Sequence, residues 1–270
     1  MDPHLSANRA NWDDRTEIHV RSQFYDVDAW LRDEPGPRRR ELDALGAVDG
    51  LTLVHLQCHF GLDTLQWARA GARVTGLDFS STAIDAARDV ARRAGLDDRA
   101  TFVCANVYDA VDALEGATFD VVYISLGALT WLPSVDRWAE QAATLVTPGG
   151  RLYLHDCHPL SWALDVDGRR LAHTYFEEAE PHVDDSGETY TDSDVDGSLE
   201  HARTYEWNHS LGEIVTALMR HGLRIDTLTE HDWTVYPQFP WLERGLDDTW
   251  TIPGDEPRIP LTYTVVATRP

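Results

Sequence analysis

Leu53-Val54-His55-Leu56-Gln57-Cys58-His59-Phe60-Gly61 is followed, at Val74 to Ser80, by Val-Thr-Gly-Leu-Asp-Phe-Ser. The first stretch carries an apolar run into a tight turn, after which Leu62, Leu65, Trp67 and Ala68 recur at helical spacing. The next apolar run, Ala72 to Leu77, ends on an acid, Asp78, 17 residues beyond Gly61. Strand, turn, helix, strand and terminal acid form the opening of a βαβ nucleotide-binding unit. From that position a carboxylate can receive the two hydroxyls of an adenosine ribose.

Working outward, the alternation continues. Ser81 to Ala94 is patterned as a helix with Gly95 as its stop, and Thr101 to Ala105 and Phe119 to Ser125 are strand candidates. A helix over Val135 to Leu145 is closed by Pro148-Gly149-Gly150, and Arg151 to His155 is the next strand. Strands and helices alternating at this spacing predict an α/β fold, a doubly wound and mostly parallel sheet covered on both faces. A helix over Leu211 to His221 then leads to strands at Leu223 to Thr229 and Leu261 to Thr268, with no helix between the two strands. That order predicts a final antiparallel strand. Residues 1–50, helix-patterned around Ala10 to Tyr25 and Asp28 to Leu45, are too short for a core of their own and form an N-terminal helical cap. The remainder, 51–270, is the main domain, interrupted by an acidic insertion at about 160–206 and an aromatic loop at about 231–260.

Composition narrows the partners. The net charge is −23 and all 23 Lys and Arg residues are arginine; between Glu177 and Glu200 there are ten acidic residues and no Arg or Lys. Such a surface repels phosphate backbones and anionic lipid, which argues against nucleic acid and membrane as partners and for a small-molecule substrate. No apolar run approaches the length of a bilayer span, and the polar N-terminus does not read as a signal peptide. Cys58, Cys104 and Cys157 are odd in number and far apart, which fits reduced thiols of a cytoplasmic protein. Oligomeric state is not legible. No zinc spacing is present, and no metal is expected. Asp192-Ser193-Asp194-Val195-Asp196-Gly197 begins like a calcium loop, but its twelfth position is Arg203 where such a loop needs a bidentate acid.

The motifs and their order resemble the class I S-adenosylmethionine-dependent methyltransferases over about Leu51 to His155, with the terminal strands adding weaker support. The first motif of that family has the form hhDhGCGxG, where h is apolar. Here His55 takes the acidic position, Gln57 and His59 replace the first two glycines, and Cys58 and Gly61 match. The phrase His-Leu-Gln-Cys-His-Phe-Gly resembles a subgroup that uses this version as its own. The resemblance implies a seven-stranded Rossmann-like sheet with S-adenosylmethionine as cofactor and S-adenosylhomocysteine as product. It also implies a site built from Tyr25, Gln57, Cys58, His59, Gly61, Asp78, Phe79, Asn106, Val107 and Ser125. Asp78 is then the ribose acid, though a helix N-terminal acid is an equally good description and the two are compatible. Phe79 lies against the adenine; Asn106, where Asp is commoner, reads its amino group through the amide oxygen. Dinucleotide chemistry is disfavoured, because a pyrophosphate needs closer backbone approach than a turn bearing Gln57 and His59 allows.

The implied function is methyl transfer to a small molecule, with oxygen, nitrogen and carbon all open as acceptor atom. The alternative is a non-catalytic member of the fold that binds the cofactor or acts as a partner subunit. His158, just beyond the fifth strand, is the best-placed candidate base, against a plain loop histidine bonded to backbone. Trp12, the segment Tyr205 to His209 and the run Trp233 to Trp241 are read either as pocket walls or as packing between lid and sheet.

Overall fold

The computed structural model describes residues 2–191, 199–245, 249–254 and 256–270. Three helices come first: α1 (Pro3–Arg21), α2 (Val27–Asp33) and α3 (Arg39–Leu45). Two helical stretches were expected here; the first ends at Arg21, and the second divides into α2 and α3, with Glu34 at φ +48° closing α2. Ser22 is extended, and Asp26, at φ +34°, accepts from the Ala29 amide to start a new helix.

The sheet follows as β1 (Thr52–Leu56), α4 (Leu62–Arg69), β2 (Arg73–Asp78), α5 (Ser81–Arg93), β3 (Ala100–Cys104), α6 (Ala110–Ala113), β4 (Phe119–Ile124), α7 (Val135–Leu145) and β5 (Val146–Cys157). Beyond it lie α8 (Pro159–Trp162), β6 (His182–Asp184), β7 (Thr204–Glu206), α9 (Leu211–Arg220), β8 (Arg224–His231), β9 (Trp233–Thr234), β10 (Glu243–Arg244), β11 (Trp250–Thr251) and β12 (Thr262–Thr268). The main sheet has seven strands in the order β3-β2-β1-β4-β5-β12-β8. Its first five are mutually parallel, while β12 is antiparallel to both β5 and β8. The reversal of strand order beside β1 opens a crevice at the carboxyl ends of β1 and β4, where an open α/β sheet binds its ligand.

Local sequence explains the elements. In α5, Ala83, Ile84, Ala87, Val90 and Ala91 are buried along one face, and Ser80 caps the helix by accepting from the Ala83 amide. Trp138, Ala139 and Ala142 of α7 seal one side of the sheet with Val122, Ile124, Leu152 and Leu154. On the opposite face the strands carry polar and aromatic side chains: His55 packs edge-on to Tyr123, and Tyr123 stacks on Tyr153. Strand β5 begins at Val146, five residues earlier than expected. Gly149 takes φ +80° and its amide donates to the Arg269 carbonyl, so Pro148-Gly149-Gly150 forms a bulge within the strand rather than a loop before it.

Outside the main sheet, β6 and β7 form an antiparallel ribbon in which His182 faces Glu206. The aromatic loop carries a small sheet of β10, β11 and β9. Asn8 locks the ribbon to α1, its Nδ2 donating to the Tyr205 carbonyl at 2.7 Å and its Oδ1 accepting the Tyr205 amide at 2.8 Å. Asp13 of α1 meanwhile accepts from Ser80 Oγ and from the Thr82 amide at the start of α5. Helix α1 is thus a strap across the carboxyl edge of the sheet. Asp192 to Gly197, which begin like a calcium loop, lie outside the described residues. Among the described residues no three His, Cys, Asp or Glu are arranged to hold a metal, and no helix is long and apolar enough to cross a membrane.

Candidate active site

A cavity of about 1650 Å³ opens at the carboxyl ends of the parallel strands. Tyr25, Gln57, Cys58, His59, Gly61, Asp78, Phe79, Asn106, Val107 and Ser125 all line it. Bringing together residues from the cap, β1, β2, β3 and β4 is what the crossover at β1 achieves.

The turn after β1 keeps the backbone of a glycine-rich loop without its glycines. Gln57 has φ +57°, His59 φ +52° and Gly61 φ +80°. For a residue with a Cβ, that left-handed conformation costs about 1–2 kcal/mol. The two side chains turn to neighbouring elements: Gln57 Nε2 donates to the Ala128 carbonyl at 2.7 Å, and His59 Nε2 shares a hydrogen bond of 2.9 Å with His19 Nδ1 of α1. Each keeps one buried polar atom without a protein partner, Gln57 Oε1 and His59 Nδ1. Gly61 is required by packing. A Cβ there would sit 2.7 Å from the Phe102 ring and 3.1 Å from Ala87, so its absence lets the turn close onto α5 and β3.

Asp78 is the helix N-terminal acid that was expected, and it also braces the turn. Its Oδ2 accepts the His59 amide at 2.8 Å, bracing the turn, and its Oδ1 accepts the Ser80 amide at 2.9 Å, starting α5. Burial pushes its carboxyl up to about 6, against the pull of those amides. Asn106 Oδ1 accepts the Tyr108 amide at 2.9 Å, leaving Nδ2 without a protein partner among the described residues. His55 links three elements, with Nδ1 bonded to Thr64 Oγ1 at 2.8 Å and Nε2 to Ser125 Oγ at 3.1 Å. Burial lowers it to about 4, so a neutral imidazole occupies the position where the family motif carries an acid.

His158 sits as the loop histidine of the plainer reading, bonded to backbone. Its Nδ1 accepts the Leu160 amide at 3.0 Å as the cap of α8, its Nε2 pairs with Glu230 at 2.9 Å, and it does not line the cavity. Side chains alternate along β5, so His155 and Cys157 reach the cavity while Asp156 points the other way. Asp156 nonetheless shapes the site. It accepts from the amides of Gly127 at 2.5 Å, Cys157 at 2.7 Å and Leu129 at 3.0 Å, fixing the loop after β4. Burial raises its carboxyl to about 6.

Several lining residues were not singled out from the sequence. Arg15 lines the cavity one turn beyond Trp12 on α1, the residue already read as a wall; behind them on the same helix His19, buried and lowered to about 2, bonds His59 and is held from the far side by Thr189 Oγ1 at 2.6 Å. That spacing was the available signal. Tyr190 of the insertion bonds Tyr25 through their hydroxyls at 2.6 Å and lies 6.2 Å from the Tyr236 ring. Of the aromatic run, Val235 to Phe239 line the cavity. Trp233 instead stacks on His155, and Trp241 stacks on Phe239. Pocket wall and packing are both present.

A crevice at the β1 crossover, lined by a turn braced on the acid that ends β2, belongs to an α/β fold of the Rossmann-like class. Residues 54–154 match the family model described as a methyltransferase domain. That segment, β1 to β5, is thus similar to a methyltransferase domain. Among curated proteins the chain is similar to the 27-O-demethylrifamycin SV methyltransferase of Amycolatopsis mediterranei, 35% identical over 45% of this chain and 45% of that protein. It is also similar to the ubiquinone biosynthesis O-methyltransferase of Brucella anthropi, 32% identical over 43% of this chain and 44% of that one. The chain thus spans about half the length of these relatives. Among solved structures, an S-adenosylmethionine-dependent methyltransferase from Listeria monocytogenes shares the fold with a TM-score of 0.62 at 20% identity, covering 86% of this chain and 96% of that one.

Proposed function

We propose that this protein transfers a methyl group from S-adenosylmethionine to a small-molecule acceptor. The observation that carries the proposal is the retained left-handed turn at Gln57, His59 and Gly61, braced on Asp78. A chain that had lost its ligand would have no reason to hold two non-glycine residues in that conformation or to leave Gln57 Oε1 and His59 Nδ1 buried without partners.

The residues fit the cofactor. Asp78 has lone pairs left for two ribose hydroxyls, Phe79 offers a face to the adenine, and Asn106 Nδ2 is a donor for a ring nitrogen. Gln57, His59 and Ser125 are assigned to the aminoacyl end. When bound, S-adenosylmethionine supplies a methyl group already activated for in-line displacement. The chain then has to exclude water and align the acceptor. Helix α1, Tyr190 and Tyr236 cover the cavity, and Asp156 fixes the loop that the acceptor meets. Glu206, which lines the cavity and is raised by burial to about 7, takes the place of His158 as the group able to accept a proton. The relatives named for rifamycin and ubiquinone chemistry support a small acceptor. The three unpaired cysteines fit action in a reducing cytoplasm.

The test is incubation of the protein with methyl-deuterated donor and a metabolite extract, followed by mass spectrometry. Labelled small molecules are expected from the wild type and not from Asp78→Ala. Label found only in RNA or protein, or in nothing, contradicts the proposal.

A further inference from the structure

Arg15 is a buried cation without an ion pair among the described residues. It is 6% exposed, lines the cavity, and makes one hydrogen bond among the described residues, from Nη2 to the Glu188 carbonyl at 3.1 Å. Among the described residues its buried Nε has no hydrogen-bond partner, and no carboxylate pairs with its guanidinium. Glu206 and Asp184 act on it only through space, and burial is the largest influence on its charge. The guanidinium carbon sits 5.5 Å from the ring centroids of both Trp12 and Trp131. Two indoles partly offset the lost hydration. They do not replace an ion partner, and arginine cannot shed its proton to escape the cost.

The surroundings locate the missing partner. Trp131 follows β4, Glu188 belongs to the insertion, and Trp12 is on the strap. None of Arg15's hydrogen bonds or ring contacts involves Asp78, Phe79 or Asn106 at the opposite, adenosine end. A planar guanidinium with an unused edge is matched by a planar carboxylate, and the flanking indoles favour one carried on a flat or apolar body.

We propose that Arg15, with Trp12 and Trp131, binds a carboxylate of the methyl acceptor, so that the natural acceptor is an anionic small molecule despite the strongly acidic exterior. This rests on the methyltransferase reading and adds to it the acceptor's chemical class. The same chemistry has a second source, the amino-acid carboxylate of the cofactor itself, and the experiment separates the two.

Fluorine NMR line broadening measures binding of para-fluorobenzoate and its neutral amide to the full chain. It is run alone, with saturating S-adenosylhomocysteine, and with methylthioadenosine, which lacks the amino-acid carboxylate. The expected result is that the benzoate binds at least about tenfold tighter than the amide, with either nucleoside present, and that Arg15→Gln abolishes the preference while Arg15→Lys keeps part of it. The wild-type acid–amide comparison stands even if a variant fails to fold. Equal binding of acid and amide overturns the proposal. So does benzoate binding that survives methylthioadenosine but is displaced by S-adenosylhomocysteine, which would assign Arg15 to the cofactor. If S-adenosylhomocysteine itself does not bind, the methyltransferase reading fails separately, and the measurement without nucleoside still decides whether Arg15 holds an anion.

Discussion

His59 donates its backbone amide to Oδ2 of Asp78 at 2.8 Å, so the turn after β1 and the acid that ends β2 are one unit. The other carboxylate oxygen holds the Ser80 amide at 2.9 Å. Asp78→Ala would leave two amides without their acceptor, at about 1–3 kcal/mol each when buried. Urea unfolding should show a loss of about 2–4 kcal/mol, together with at least tenfold weaker nucleoside binding. Unchanged stability would show that the turn is braced elsewhere.

Gly61 gives a sharper structural test. Alanine there must adopt φ +80° and place its Cβ 2.7 Å from Phe102. Strain and overpacking together predict destabilisation of about 2–4 kcal/mol for Gly61→Ala. Shortening the opposing ring in Phe102→Leu should recover part of the loss in the double variant. A neutral Gly61→Ala would contradict the packing role.

The hydrogen bond between His19 and His59 ties the strap to the turn. A double-mutant cycle with His19→Ala and His59→Ala should yield a coupling of about 1 kcal/mol, whereas independent residues would give none.

These buried histidines also set the acid limb of stability. His19, His55, His59 and His155 are lowered to about 2, 4, 3 and 3, chiefly by burial. Their folded values lie below the unfolded one of about 6.5, so the stability they contribute is complete above that pH and is lost as the pH falls toward the folded values. Asp78 and Asp156, raised to about 6, and Glu206, raised to about 7, act oppositely, favouring the fold at low pH and losing that contribution as pH rises through those values. Four imidazoles outweigh three carboxylates, and unfolding free energy should drop by about 2 kcal/mol from pH 6.5 to pH 5. Imidazole resonances of the four histidines should show no titration between pH 5 and 8; an inflection near 6.5 in any of them would contradict its burial.

How much of this was legible in the chain follows from sequence distance. The β1–turn–α4–β2 unit and helix α7 could be read because their hydrophobic periodicity and capping residues are local. The residues of the proposed cofactor site could be placed because all but Tyr25 of the cap lie at or just beyond the end of a strand. The local role of His158 was one of two readings, but its pairing with Glu230 could not be seen, since that residue arrives from β8, 72 residues away. Nor could that of Asp156, whose three amide partners include Gly127 and Leu129 from the loop after another strand. Arg15 carries no local motif. It becomes notable only when Trp131 and the insertion are folded around it, and a count of charges, dominated by the −23 exterior, points away from an anionic ligand.

Asp156→Ala should spare the fold's outline but loosen Gly127 to Leu129, with a loss of about 2–4 kcal/mol as three buried amides lose their acceptor. Hydrogen exchange at those amides would accelerate beyond the global change. Equal protection would show the loop to be held by packing alone.

Isothermal titration of the folded chain with S-adenosylhomocysteine tests the central claim most directly. Saturable binding at one site, weakened at least tenfold by Asp78→Ala, is the predicted result. Absence of binding by a wild-type protein whose cooperative unfolding shows it to be native would contradict it.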